Sequence, residues 1–160
     1  MARNMARKEV HVKLKKLHPL ASVPKQATEY AGGWDVTATT IEQKDQDFVI
    51  CKLGFALEIP EGFKLTLVPR SSLTGTKWIL QNSPGLGDAD YRGEYQYRFR
   101  AIPSGISLRG ADLTYPEFPY KEGDRIGQVY IEQIIYPTFE IVENLDDTVR
   151  GDGGYGSTNK

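Results

Sequence analysis

Four short stretches of this chain carry side chains suited to handling phosphate, water or a base. Pro69-Arg70-Ser71-Ser72 closes an alternating apolar run with one guanidinium and two hydroxyls. If a short helix opens there, its free N–H groups face the same corner, which suits a phosphate. A plain helix cap uses the same residues. Gly85-Leu86-Gly87-Asp88-Ala89-Asp90-Tyr91-Arg92-Gly93 sets two carboxylates beside a tyrosine in a glycine-rich turn. A carboxylate there can act as a general base on water or hold a cation, while Asp and Gly are also ordinary hairpin residues. Gly123-Asp124-Arg125-Ile126-Gly127-Gln128 opens a strand with an acid–base pair, equally suited to binding and to bracing a strand entry. Arg150-Gly151-Asp152-Gly153-Gly154-Tyr155-Gly156-Ser157-Thr158 adds a cation, two hydroxyls and a ring able to stack on a base, on a glycine backbone that can wrap a ligand.

The elements that must hold these stretches read as strands. Val10, Val12 and Leu14 alternate with polar residues, as do Phe63, Leu65 and Leu67, and Tyr95, Tyr97, Phe99 and Ala101. Successive strand side chains point to opposite faces, so each run can bury one face and wet the other. Shorter strands are expected at 48–51, 54–59, 78–81, 126–132 and 139–142, separated by turn signals such as Pro60-Glu61-Gly62, Pro84-Gly85 and Pro103-Ser104-Gly105. No long amphipathic helix is evident, only a short helical turn over 71–77. Many short strands with Gly and Pro punctuation indicate an all-β barrel or sandwich. Residues 146–160 are polar, contain four glycines, and are expected to move when no ligand is bound.

Composition narrows the chemistry. A chain of 160 residues, 39% hydrophobic and 26% charged, makes one soluble domain with a real core. One cysteine, Cys51, and two histidines, His11 and His18, exclude an intrachain disulfide and argue against a transition-metal site, leaving a hard cation on oxygens. A net charge of −1 argues against dedicated nucleic-acid binding, although residues 1–16 carry six basic side chains against Glu9 alone. No apolar stretch is long enough for a signal or a membrane span, so the default compartment is the cytoplasm.

Together with Gly32-Gly33-Trp34-Asp35-Val36 near the N-terminus, the four clusters resemble, in order and spacing, the five motifs of the trimeric dUTP diphosphatases, or dUTPases. The motifs correspond to 33–38, 69–73, 85–93, 123–128 and 150–158. The resemblance implies a distorted jelly-roll-like β-barrel of the β-clip type, assembled as a homotrimer whose sites draw on three subunits. Residues 1–145 would form the barrel, with a surface excursion over 101–121 of a kind common in viral and phage members, for which the compartment is the host cytoplasm. Residues 146–160 would form a lid that orders on substrate.

The reaction implied is hydrolysis of dUTP to dUMP and pyrophosphate. Asp88 matches the water-activating carboxylate, and Tyr91 the ring that packs on deoxyribose and excludes a 2′-hydroxyl. Asn82 matches a uracil contact in the hairpin ahead of Asp88. Ser71 and Gln128 match phosphate contacts with Arg70 beside them, and Ser72, Gly85 and Gly156 complete the substrate-binding set. Mg²⁺ would be held mostly by the triphosphate and waters, one of them on Asp35. Arg150, Ser157 and Thr158 match the lid's γ-phosphate contacts, and Tyr155 stands where a phenylalanine usually stacks on uracil. The chain departs from the pattern at Gln81 and Asn159, where glycine is usual, at Pro84 in the uracil hairpin, and at Gly87, which replaces a bulky aliphatic.

Two other readings use the same scaffold. A dCTP deaminase-type or bifunctional enzyme would need a glutamate on the strand after the third motif, where Arg98 sits between Tyr97 and Phe99 and Glu94 comes too early. A regulatory or binding protein would not need Asp88, Tyr91 and the whole lid motif. The 101–121 excursion is expected to be dispensable for hydrolysis.

Overall fold

The computed structural model describes residues 9–106 and 113–154. Its strands are β1 (Lys13–Lys16), β2 (Lys25–Gln26), β3 (Trp34–Thr37), β4 (Thr40–Asp45), β5 (Phe48–Lys52), β6 (Phe55–Glu58), β7 (Phe63–Pro69), β8 (Trp78–Leu80), β9 (Gly85–Gly87), β10 (Gln96–Ala101), β11 (Gly105–Ile106), β12 (Leu113–Thr114) and β13 (Arg125–Gln133). The helical turn expected after β7 is a 3₁₀ turn, Ser71–Gly75. One antiparallel sheet runs β2-β3-β13-β7-β9, a second runs β4-β5-β10-β8, and β1 pairs with β6. This is the all-β jelly-roll architecture. Among the described residues no helix is long and apolar enough to cross a membrane.

Alternation builds the core where it is cleanest. On β10, Tyr97, Phe99 and Ala101 are buried while Arg98 is exposed, and β5 answers in register with Cys51 opposite Tyr97 and Val49 opposite Phe99. Burial pushes the Cys51 thiol up to about 12, so it behaves as a small hydrophobe. On β13 the alternation breaks. A register shift between Arg125 and Gly127 buries Ile126 and Gly127 together. The Tyr97 ring crosses Gly127 so closely that a Cβ there would lie 2.1 Å from it, and the Tyr97 hydroxyl donates to the Gln128 carbonyl at 2.6 Å. Only glycine permits that crossing, and it ties the second sheet's core to the first sheet's central strand.

Three expectations change. The N-terminal run is strand only from Lys13, and residues 139–142 form no strand. Phe139 and Ile141 lie almost fully exposed, without the hydrogen-bonding neighbour a strand requires. β3 and β4 escape a periodicity search because they are short and partly polar. The 101–121 excursion is a β11–β12 hairpin followed by a return that covers the core. Phe118 packs edge-on against Trp78 at 4.9 Å and against Phe99 at 5.3 Å, and the Trp78 indole N–H donates to the Glu117 carbonyl at 3.0 Å.

Phe118→Ala should therefore cost about 2–4 kcal/mol in urea denaturation, somewhat below the ~3–5 kcal/mol for truncating a fully buried aromatic because Phe118 is half-buried. Leu113→Ala, on the exposed hairpin strand, should stay within about 0.5 kcal/mol.

Candidate active site

The first site feature is a buried carboxylate. Asp35 sits on β3 opposite Gln128 of β13 and is only 6% exposed. Its Oδ2 accepts from Arg125 Nη1 at 2.8 Å, and its Oδ1 from Gln128 Nε2 at 3.0 Å, with Arg70 Nε at 3.5 Å. Arg70 also donates to the Arg125 carbonyl at 3.2 Å. Residues of the first, second and fourth motifs thus meet at one carboxylate, with the guanidiniums more open to solvent than the acid they flank. An exposed cationic rim fixed by a buried anion is a suitable receptor for phosphate oxygens.

Ser71 and Ser72 are exposed on the short 3₁₀ turn after Arg70, which has no side-chain cap. The Ser72 hydroxyl lies 3.2 Å from that of Tyr120. The return of the excursion therefore touches the 3₁₀ turn that carries Ser71 and Ser72, a contact that no motif announces.

The second feature is a pocket of about 130 Å³ lined by Asn82, Gly85, Tyr91, Tyr95 and Gln96 among others. Asn82 does not offer its side chain freely: Nδ2 donates to the Gln96 carbonyl at 3.1 Å and Oδ1 accepts from the Arg98 N–H at 2.9 Å. Those bonds rivet the β8–β9 hairpin to β10 and engage both ends of the Asn82 amide. Gly85 lies close beneath, where a Cβ would be 3.0 Å from the Asn82 carbonyl oxygen. Tyr91 is 43% exposed at the mouth, its hydroxyl donating to the Glu94 carbonyl at 3.2 Å. Glu94 in turn accepts from the Gly54 N–H at 2.9 Å, so this acid is committed to the fold. Asp88 is exposed immediately after β9.

Asp88 and Arg70, however, are not adjacent in one chain. Gly87 pairs with Leu65 and Gly127 with Pro69, so Asp88 and Arg70 leave opposite ends of β7. At about 3.3 Å per residue the separation along the strand is roughly 20 Å. Arg150 is exposed and held in its own turn, Nε donating to the Gly153 carbonyl at 2.7 Å. Tyr155, Gly156, Ser157 and Thr158 lie outside the described residues.

A profile of the dUTPase family matches residues 20–159, spanning all five motifs. The chain belongs to the dUTPase family. It is 36% identical over 151 residues to the deoxyuridine 5′-triphosphate nucleotidohydrolase of Helicobacter pylori (strain Shi470), covering 92% of this chain and 95% of that one. The enzyme of the same name from Wolinella succinogenes is 34% identical over 155 residues, covering 96% and 97%. Among solved structures, a point mutant of the dUTPase of Staphylococcus bacteriophage 80alpha, determined with dUpNHpp, superposes with a TM-score of 0.74 at 23% identity, covering 94% of this chain and 99% of that one. The phage phi11 dUTPase, whose structure describes coordination of a structural Mg(II) ion, gives 0.65 at 22% identity, covering 84% and 97%. At such identities the structures speak to the dUTPase fold.

Sequence reasoning singled out Asp35 and, around the pocket, Asn82, Gly85 and Tyr91, but not the residues that support them, Glu94, Tyr95, Tyr97 and Tyr120. The signal for Tyr97 was in the text, because a glycine inside a strand marks a close approach of another group. Asp35→Ala should lower stability by about 2–4 kcal/mol in urea denaturation, since it leaves two guanidiniums without their shared anion. Trp34→Phe, beside it and part-exposed, should change stability by less than about 1 kcal/mol.

Proposed function

We propose that this dUTPase-family chain is a dUTP nucleotidohydrolase that releases dUMP and pyrophosphate, with Asp88 as the base. The observation that carries this reading is the exposed Asp88 at the end of β9, set beside the pocket that holds Tyr91, Gly85 and Asn82. Uracil would enter the hairpin and be read by main-chain groups, deoxyribose would rest on Tyr91, and the α-phosphate would then lie near Asp88. Asp88 takes a proton from water as it attacks the α-phosphorus, and pyrophosphate leaves in line. Arg70, Ser71, Ser72 and Gln128 would bind the phosphates, and Arg150 with Tyr155, Gly156, Ser157 and Thr158 would close over the nucleotide.

The residues present fit a magnesium ion that arrives with the triphosphate. Among the described residues no group of three or more carboxylate, His or Cys side chains could cage one. Asp35 is turned inward by Arg125 and Gln128, so it suits holding a metal-bound water better than the metal itself. When bound, Mg²⁺ would neutralise charge on the phosphate oxygens. Positioning of substrate and water remains with the side chains above.

The separation of Asp88 from Arg70 supports a homotrimer in which the phosphate cluster of one subunit serves the Asp88 pocket of another. A solvent-exposed apolar run, including Ile135, Phe139, Ile141 and Leu145, supplies surface for such contacts. A cytoplasmic location accords with a substrate drawn from the nucleotide pool. Deamination is disfavoured, because Glu94 is bonded to Gly54 and Arg98 occupies the exposed face of β10.

With Mg²⁺ and a panel of dUTP, dTTP, dCTP and UTP, pyrophosphate should come from dUTP almost alone and no ammonia should appear. Asp88→Asn should bind nucleotide yet turn over at least ~100-fold slower; a near-normal rate would remove Asp88 from the mechanism. A chain ending at Val149 should lose most turnover while still sedimenting as a trimer, at three times the mass of the shortened chain.

A further inference from the structure

Tyr95 carries the one buried side-chain polar atom among the described residues that has no hydrogen-bond partner, its hydroxyl. The residue is 4% exposed and lines the pocket beside Tyr91. A phenylalanine would fill the same volume without stranding a hydroxyl, and an unsatisfied buried polar group is costly to keep. Burial pushes the phenol up to about 12, helped by Tyr91 and Asp88 nearby and opposed by Arg92, so it is protonated and can donate at neutral pH.

The ring also occupies the place of a missing side chain. A Cβ at Gly87 would lie 2.6 Å from Tyr95 Cε1, 2.8 Å from its hydroxyl and 3.0 Å from Leu65 Cβ. Tyr95 therefore fills the space under the residue that precedes Asp88. The same ring meets Tyr91 edge-on at 5.2 Å and rests on Phe55 at 6.2 Å. One side chain thus sits beneath both the expected base and the expected sugar platform.

Resting on the reading of this pocket as the nucleoside site, we propose that Tyr95 is a positioning residue: its ring, interlocked with Gly87, sets the height of Asp88 and Tyr91, and its hydroxyl donates to an oxygen of the nucleoside that fills the pocket. A group stranded in the free protein and satisfied in the complex makes two opposite predictions for its removal. Losing the hydroxyl relieves the free state and weakens the bound one.

The test is Tyr95→Phe, which keeps the ring. Its urea midpoint without ligand should rise, while its Kd for dUMP, measured by titration calorimetry, should increase 2–10-fold. An unchanged Kd, or a lowered midpoint, overturns the role of the hydroxyl. The interlock is tested by a cycle of Gly87→Val, Tyr95→Ala and the pair. Each single change should lower kcat for dUTP at least tenfold, and the double variant should recover at least tenfold over Gly87→Val. Losses that simply multiply overturn the interlock. If the wild-type protein fails to turn over dUTP, the reading of the site fails instead, and the cycle read on urea midpoints still decides whether ring and glycine interlock.

Discussion

A single buried anion organises this molecule. Asp35 lies in the first sheet, and an isolated carboxylate there would carry a heavy desolvation cost. Two guanidiniums and an amide remove most of that cost, one from the turn after β7 and two from β13. Arg70 follows β7, Arg125 opens β13, and Gln128 stands three residues further along, opposite Asp35 itself. The ion cluster therefore fixes where three strands end relative to one another. Removing either partner alone exposes the other, so binding chemistry and strand placement cannot be varied independently.

A second constraint is steric and runs through glycine. Tyr97 reaches across Gly127 to bond the Gln128 carbonyl, and Tyr95 fills the void left by Gly87. In both cases an aromatic from the β10 region occupies space that the neighbouring strand vacates. The two contacts transmit the packing of the core to the strands carrying Gln128 and Asp88. They also explain how the chain tolerates a glycine immediately before Asp88: the volume is supplied from across the pocket.

Much of this was legible beforehand where local chemistry and long-range geometry agree. The alternation of Tyr97, Phe99 and Ala101 announced a core face, and the resemblance to the family motifs implied that Asp35, Arg70 and Gln128 lie near one another. Residues 139–142 misled because a run of apolar residues specifies a strand only when a neighbour offers hydrogen bonds, and the single chain offers none there. The excursion misled for the converse reason. Its prolines and turns read as surface, whereas Phe118 and Tyr120 return to the core through contacts with Trp78, Phe99 and Ser72 that no local pattern encodes. Asn82 was found by position, but that its amide is spent on β10 is a tertiary fact.

The chain has two tryptophans, and the fold sends them to opposite environments. Trp34 stands part-exposed next to Asp35, while Trp78 is 3% exposed, sealed by Phe118 and hydrogen-bonded to Glu117. An ionic quencher reaches the first indole and not the second. Emission from the quenchable fraction reports on the strand that carries Asp35, and emission from the protected fraction on the aromatic cover over Trp78. The protein thus carries two optical reporters, one for its site and one for its core, without any label.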